Sequence, residues 1–253
     1  MFINTLVAEW TKLRTTRSFW WTTALFILMS LGWAGLTGYT SLEAQGDFPT
    51  LWAASSAVAV YLLGFSVIMI QSVMLVTTEY RYHLQSTSYL ATPRRWTVAL
   101  AKLLLYSAIA AALTFLMVLA GFYLARALAP ESAAALFNPL EDAAALRILW
   151  SYPAMAASVV MLAQGVGLLL RQTAGSVALV LIWFMGLEQI FRLIPEFGSD
   201  IASYLPFQNL DAFIQEVDIA GLPWDHNGSG AYFLLWAAIL WLLGVVVLQR
   251  RDA

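Results

Sequence analysis

The sequence predicts an all-α polytopic membrane protein: six transmembrane helices, an amphipathic N-terminal interfacial helix, and a cytoplasmic helix between spans two and three. Three observations carry that prediction. Hydrophobic residues make up 61% of the 253 residues and charged ones 11%, more apolar surface than a water-soluble fold of this size can bury. The apolar residues gather into six runs, each long enough for a hydrocarbon core that needs about 20 helical residues. The cations fall in alternate gaps between those runs. Lys12, Arg14 and Arg17 precede the first, and Arg81, Arg94, Arg95 and Lys102 follow the second. Arg171 follows the fourth, Arg250 and Arg251 come after the sixth, and of 13 cations only Arg126, Arg147 and Arg192 lie elsewhere. Lys and Arg accumulate on the cytoplasmic side, so the alternation places both termini there.

The first element is the segment before span one. Phe2, Ile3, Leu6, Val7, Trp10 and Leu13 recur at three- and four-residue spacing, with Asn4, Glu9, Lys12 and Arg14 on the other faces. That pattern is an amphipathic helix lying in the interface plane, either an anchor for span one or a docking surface. The run after it is too long for a cleaved signal peptide and is expected to stay as a span. The six spans are Phe19–Tyr39, Leu51–Val76, Val98–Leu124, Ile148–Leu170, Ala174–Ile194 and Tyr232–Leu248, within a single transmembrane domain over residues 1–253. Helix is chosen over strand because lipid-facing strands need a closed barrel and an alternating pattern that these runs lack. Trp20, Trp21, Trp52, Trp96, Trp150 and Trp236 stand near span ends, as interfacial belts do. Gly32, Gly35 and Gly38, like Gly165 and Gly167, are candidate helix-packing positions.

The connections assigned to the outer side are acidic, with Glu43 and Asp47 in the first and Glu131, Glu141 and Asp142 in the second. The last, roughly residues 195–230, carries six acidic residues and no Lys or Arg. Within it Phe207, Leu210, Phe213, Ile214 and Val217 have helical spacing between Pro206 and Pro223. A short helix folded onto the outer membrane face is expected there.

Between spans two and three runs Glu79-Tyr80-Arg81-Tyr82-His83-Leu84-Gln85, followed by a polar stretch to Pro93. The segment is too polar to cross a bilayer. Tyr82, Tyr89 and Leu90 give it an apolar face, and Pro93 ends the helix. Arg94, Arg95 and Lys102 are expected to hold the start of span three at the lipid head groups. A helix clamped between two spans can pass a push from a soluble partner into the membrane, or serve as a plain connector.

Here the sequence resembles a known family. Glu79-Tyr80-Arg81-Tyr82, a polar dozen, Pro93-Arg94-Arg95 and then Lys102 are similar to the pattern after the second span of ATP-binding-cassette permeases of the type-2 exporter class. The opening Glu9-Trp10-Thr11-Lys12-Leu13-Arg14 resembles that family's opening motif, particularly in actinobacterial members. His83 stands where family members usually carry Gly. The resemblance implies a non-catalytic permease subunit in a bacterial plasma membrane, pairing with a second permease chain, a homodimer. Each chain docks a separate ATPase, so two ATPase copies hold ATP and Mg while this chain holds no cofactor. The segment from Glu79 to about Leu90 becomes the coupling helix. Export of an amphiphilic drug, antimicrobial peptide or lipid-like substrate follows, with membrane lipid as a partner and no nucleic acid. The chain carries no Walker A loop and so has no motor of its own.

Polar residues inside spans are costly unless paired or wet, which singles out Gln71, Gln164, Glu188, Gln189 and Arg192. Glu188 and Arg192 stand four apart, the spacing of an intrahelical ion pair, with a substrate-lining role as the alternative. The resemblance places spans one, two and five near the transport pathway, favouring Gln71 and Glu188.

Rival classes fit less well. Leu187-Glu188-Gln189-Ile190-Phe191-Arg192 resembles half of the Glu-Glu-x-x-x-Arg motif of membrane-embedded prenyl-protein-type proteases, but Leu187 replaces the first Glu. His83 and His226 lie in loops assigned to opposite sides and cannot share a metal. With no Cys there is no thiol nucleophile. A secondary transporter calls for midplane ionisable groups and inverted repeats, neither of which is clear. A scaffold or sensor is the remaining alternative.

Overall fold

The computed structural model describes residues 2–44, 46, 48–81, 95–195 and 197–250. These are all-helical, and six helices are long and apolar enough to cross a membrane. In chain order they are α2 (Arg17–Tyr39), α3 (Ala53–Tyr80), α4 (Arg95–Leu128), α6 (Ala143–Leu170), α7 (Thr173–Phe191) and α10 (His226–Arg250). Four shorter helices complete the set: α1 (Phe2–Thr15), α5 (Glu131–Ala135), α8 (Gly198–Ser203) and α9 (Pro206–Gln215).

Several helices run past the apolar stretch that announces them. α4 begins at Arg95 and ends at Leu128, beyond the expected Val98 and Leu124. Arg, Ala and Leu are good helix formers, and long basic side chains can lie along an apolar surface with the charge kept in water, so the helix has no reason to stop where hydropathy falls. The helix of span two likewise continues through Glu79 and Tyr80 to Arg81, so these residues close a transmembrane helix and do not open a new one.

The chain divides into two compact units. One comprises the segment up to Thr15, Ile68–Ala108, and the chain from Ala157 onward; the other comprises Thr16–Val67 and Ile109–Ala156. In the second unit α2 lies close against α4. A Cβ on Gly38 would collide with the carbonyl oxygen of Ala125, and one on Gly35 would press on Leu128 at 3.3 Å. Gly32, expected on the same packing face, has open space around it. Phe26 is buried over Gly64, and Tyr61, Phe65 and Tyr152 form an aromatic cluster with centroids 5.5–6.3 Å apart.

In the first unit α10 approaches α6 at Gly165, where an added Cβ would lie 2.7 Å from the backbone between Leu240 and Trp241. Only a residue without a Cβ admits that approach. The amphipathic α9 forms where the 207–214 spacing predicts it, with Pro206 at its first turn. Its apolar face turns to the protein. Phe207, Leu210 and Phe213 are buried within the protein, and the Phe213 ring covers Gly230 of α10. Glu216 adopts a left-handed backbone (φ 56°) that ends the helix, leaving Val217 outside it and exposed. Trp20, Trp21, Trp52, Trp96 and Trp150 are exposed, as belt residues would be.

Candidate functional site

Four charged side chains from three distant segments converge in the first unit. α1 contributes Glu9 and Lys12, α3 contributes Glu79 near its last turn, and α4 contributes Lys102 one turn and more into the helix. Lys102 Nζ donates to Glu9 Oε2 at 2.5 Å and Glu79 Oε1 at 3.0 Å, and reaches the Leu75 carbonyl oxygen at 3.4 Å. Lys12 Nζ donates to Glu9 Oε1 and to Glu79 Oε1, both at 2.8 Å. Glu9 is 1% exposed and Lys102 4%. Two carboxylates meet two ammoniums, so the buried charge sums to zero and each desolvated group keeps a partner. Burial pulls the Lys12 ammonium down, but Glu79 and Glu9 outweigh it and leave its pKa above the ordinary lysine value.

Lys102 therefore does not sit at a head-group anchor. Two carboxylates lie within its reach, and leaving them buried without a cation would cost more than drawing the ammonium in. Glu9 is equally distant from the role its place on a polar helix face suggests. The face of α1 that packs on the protein runs through Thr5, Glu9 and Leu13, while Ile3, Val7 and Trp10 are exposed. Arg14 is exposed beside them.

More polar groups gather around this cluster. Arg171 follows α6 with a positive φ of 55°, places its guanidinium 5.0 Å from the Tyr80 ring centroid, and donates to the Val247 carbonyl oxygen at 3.3 Å. Arg95 donates to the Leu248 carbonyl oxygen at 3.4 Å. Two guanidiniums thus serve the last carbonyls of α10, the negative end of its dipole. Gln164 of α6, 1% exposed, points its Nε2 at the Lys102 carbonyl oxygen at 3.4 Å. Gln71 is buried and accepts a hydrogen bond from the Tyr106 hydroxyl, so it joins α3 to α4 within the fold.

Glu188 lies in a different setting. The four-residue spacing to Arg192 predicts an ion pair, and the structure replaces it. Glu188 Oε1 accepts the Phe207 amide at 3.0 Å and Oε2 accepts the Gln208 amide at 2.7 Å, both from the first turn of α9. Arg192 donates to the Gln208 side chain instead. The physical reason is local. Just before Glu188 the helix opens into a π turn over Trp183–Leu187, and Gly186 takes a non-helical backbone with φ 152°. That turn presents the carboxylate, 2% exposed, to unpaired amides that a helix N-terminus always offers. Gln189 is exposed. His226 opens α10 and accompanies Asp218, whose carboxylate accepts the His226 amide at 2.7 Å.

Of the positions read from the sequence as a coupling segment, Glu79 and Tyr80 enter the charged site and Arg81 continues the helix. Tyr82, His83, Leu84, Gln85 and Arg94 lie outside the described residues. The convergence of Glu9 with Lys102 has one signal in the sequence, a lone ammonium at Lys102 within the apolar run of span three, which calls for a carboxylate partner. Spacing alone does not join residues 93 positions apart.

Six membrane-length apolar helices with buried, neutralised charge between them define a polytopic helical membrane protein. The chain matches no protein-family model and no curated protein.

Proposed function

We propose that this chain is the membrane-spanning permease subunit of an ATP-binding-cassette exporter of the type-2 class. One observation carries the reading: Glu9, Lys12, Glu79 and Lys102 lock α1 to the two helices, α3 and α4, that flank segment 82–94. A partner pressing on that segment moves both helices and α1 together, because separating them would strand charge in a low-dielectric interior. The segment is the coupling helix, received by a separate ATPase that binds ATP and Mg. α1 is the interfacial helix, its exposed Ile3, Val7 and Trp10 facing lipid. The cation distribution supports cytoplasmic termini, and the family resemblance implies a bacterial plasma membrane. A homodimer carries two ATPases, and the cargo is an amphiphilic drug, antimicrobial peptide or lipid-like molecule.

The test is co-expression with candidate ATP-binding-cassette ATPases of the source genome, followed by purification and reconstitution in liposomes. The ATPase is expected to co-purify and to hydrolyse ATP faster with the wild-type chain than with one whose residues 82–90 are replaced by a Gly/Ser linker. Absence of any associated ATPase, or turnover indifferent to the replacement, overturns the proposal.

A further inference from the structure

Beside the charged cluster, in the same unit, lies a narrow crevice lined by Val76, Glu79, Tyr80, Lys102, Gln164 and Leu248. Its polar groups do not satisfy one another. The three N–H donors of an ammonium are fixed in number, and those of Lys102 face Glu9, Glu79 and the Leu75 carbonyl oxygen. Gln164 uses its amide nitrogen on the Lys102 carbonyl oxygen, and its own Oε1, fully buried, accepts nothing among the described residues. A buried amide oxygen beside a crevice lined by Leu168, Leu248 and the charged cluster calls for a donor, and none of the described residues supplies one. The space free to a molecule's centre, about 10 Å³, admits one water and nothing larger.

We propose that this crevice holds a single resident water that donates one hydrogen to Gln164 Oε1 and the other toward the Glu79 carboxylate. The water makes Gln164 the fifth side chain of the cluster and α6 its fourth helix, joined to α1, α3 and α4. Buried waters of this kind bridge groups that side chains cannot reach directly and belong to the fold. The site stands on geometry in one unit and does not depend on the exporter reading.

Radiolytic hydroxyl-radical footprinting of the full chain in nanodiscs tests it, because radicals formed from a bound water oxidise the side chains that enclose it. Leu168 and Leu248, each 3% exposed, are expected to be oxidised in the wild-type chain despite their burial. In Gln164→Leu their oxidation is expected to fall about fivefold as the water loses its anchor, with exposed Trp21 unchanged as the reference. Unoxidised leucines in the wild type overturn the proposal without reliance on any variant. Equal oxidation in Gln164→Leu and wild type, with matching thermal melts, overturns it as well.

Discussion

Glu9 and Glu188 are both buried carboxylates in the same unit, and they are neutralised by opposite means. Glu9 is met by side-chain ammoniums, one three residues away and one 93 residues away. Glu188 is met by two peptide amides and the positive end of a helix only 10 residues long. The first arrangement carries full opposite charges that must stay together, so it ties distant segments rigidly. The second relies on partial charges and charge-assisted hydrogen bonds, which are individually weaker and can be exchanged for water. One end of the unit is cross-linked by ions, and the other is clasped by backbone.

That contrast can be broken by removing one member of each arrangement. Lys102→Met leaves Glu9 and Glu79 facing each other with only half-exposed Lys12 between them. Loss of a single partner from a buried ion cluster costs about 3–5 kcal/mol, so the melting temperature in detergent is expected to drop sharply. Charge reversal of both Glu9 and Lys102 should recover part of it. A melt within 1 °C or so of wild type would mean the cluster is not what holds this end.

Glu188→Gln is the milder break. The amide keeps one acceptor but turns an NH2 toward a second N–H donor, and the expected cost is about 1–3 kcal/mol, confined to α9. Hydrogen exchange should quicken at the Phe207 and Gln208 amides while peptides from α1 and α4 stay protected. Global loss of protection would erase the distinction between the two ends. Under the exporter reading the same variant is expected to lower export while the ATPase still assembles.

The smallest effect is a pH dependence at α1. Lys12 has a raised pKa in the folded chain, so its contribution is complete below the unfolded value near 10.5 and fades only as pH climbs through the higher folded value. The chain contains no Cys, so a Thr11→Cys variant carries one fluorophore. Its emission is expected to stay flat from neutral pH to about 10 and to shift only above that. A transition between pH 6 and 8 would point to another group.

The six spans and their order were legible because lipid imposes a single rule, about 20 apolar residues per crossing. α9 was legible by a different rule, since Phe207, Leu210 and Phe213 repeat at helical spacing. Where the helices stop was not, because Glu79, Lys102 and Arg95 read as solvent-side residues by type and become interior or capping groups by tertiary contact. The Glu188–Arg192 spacing was correct and its inference failed, because a pair rule counts only neighbours on one helix, and the amides of Phe207 and Gln208 take Glu188 while the Gln208 side chain takes Arg192. Gln71, read as a possible pathway residue, found the hydroxyl of Tyr106. In each case the residue type announced a need, and only the fold decided who would answer it.

The wide turn at Trp183–Leu187 gives this stretch a slack that an unbroken α-helix lacks. A π turn holds one residue more than the α-helix around it, and each residue of an α-helix advances the side-chain direction by about 100°. Deleting one of the five would let the coil close up into ordinary helix, whose four residues turn about as far as the five they replace, so Glu188 would keep its facing toward the amides of Phe207 and Gln208. A single-codon deletion here is therefore expected to be tolerated better than one in an unbroken span, where every following side chain would swing by about 100°.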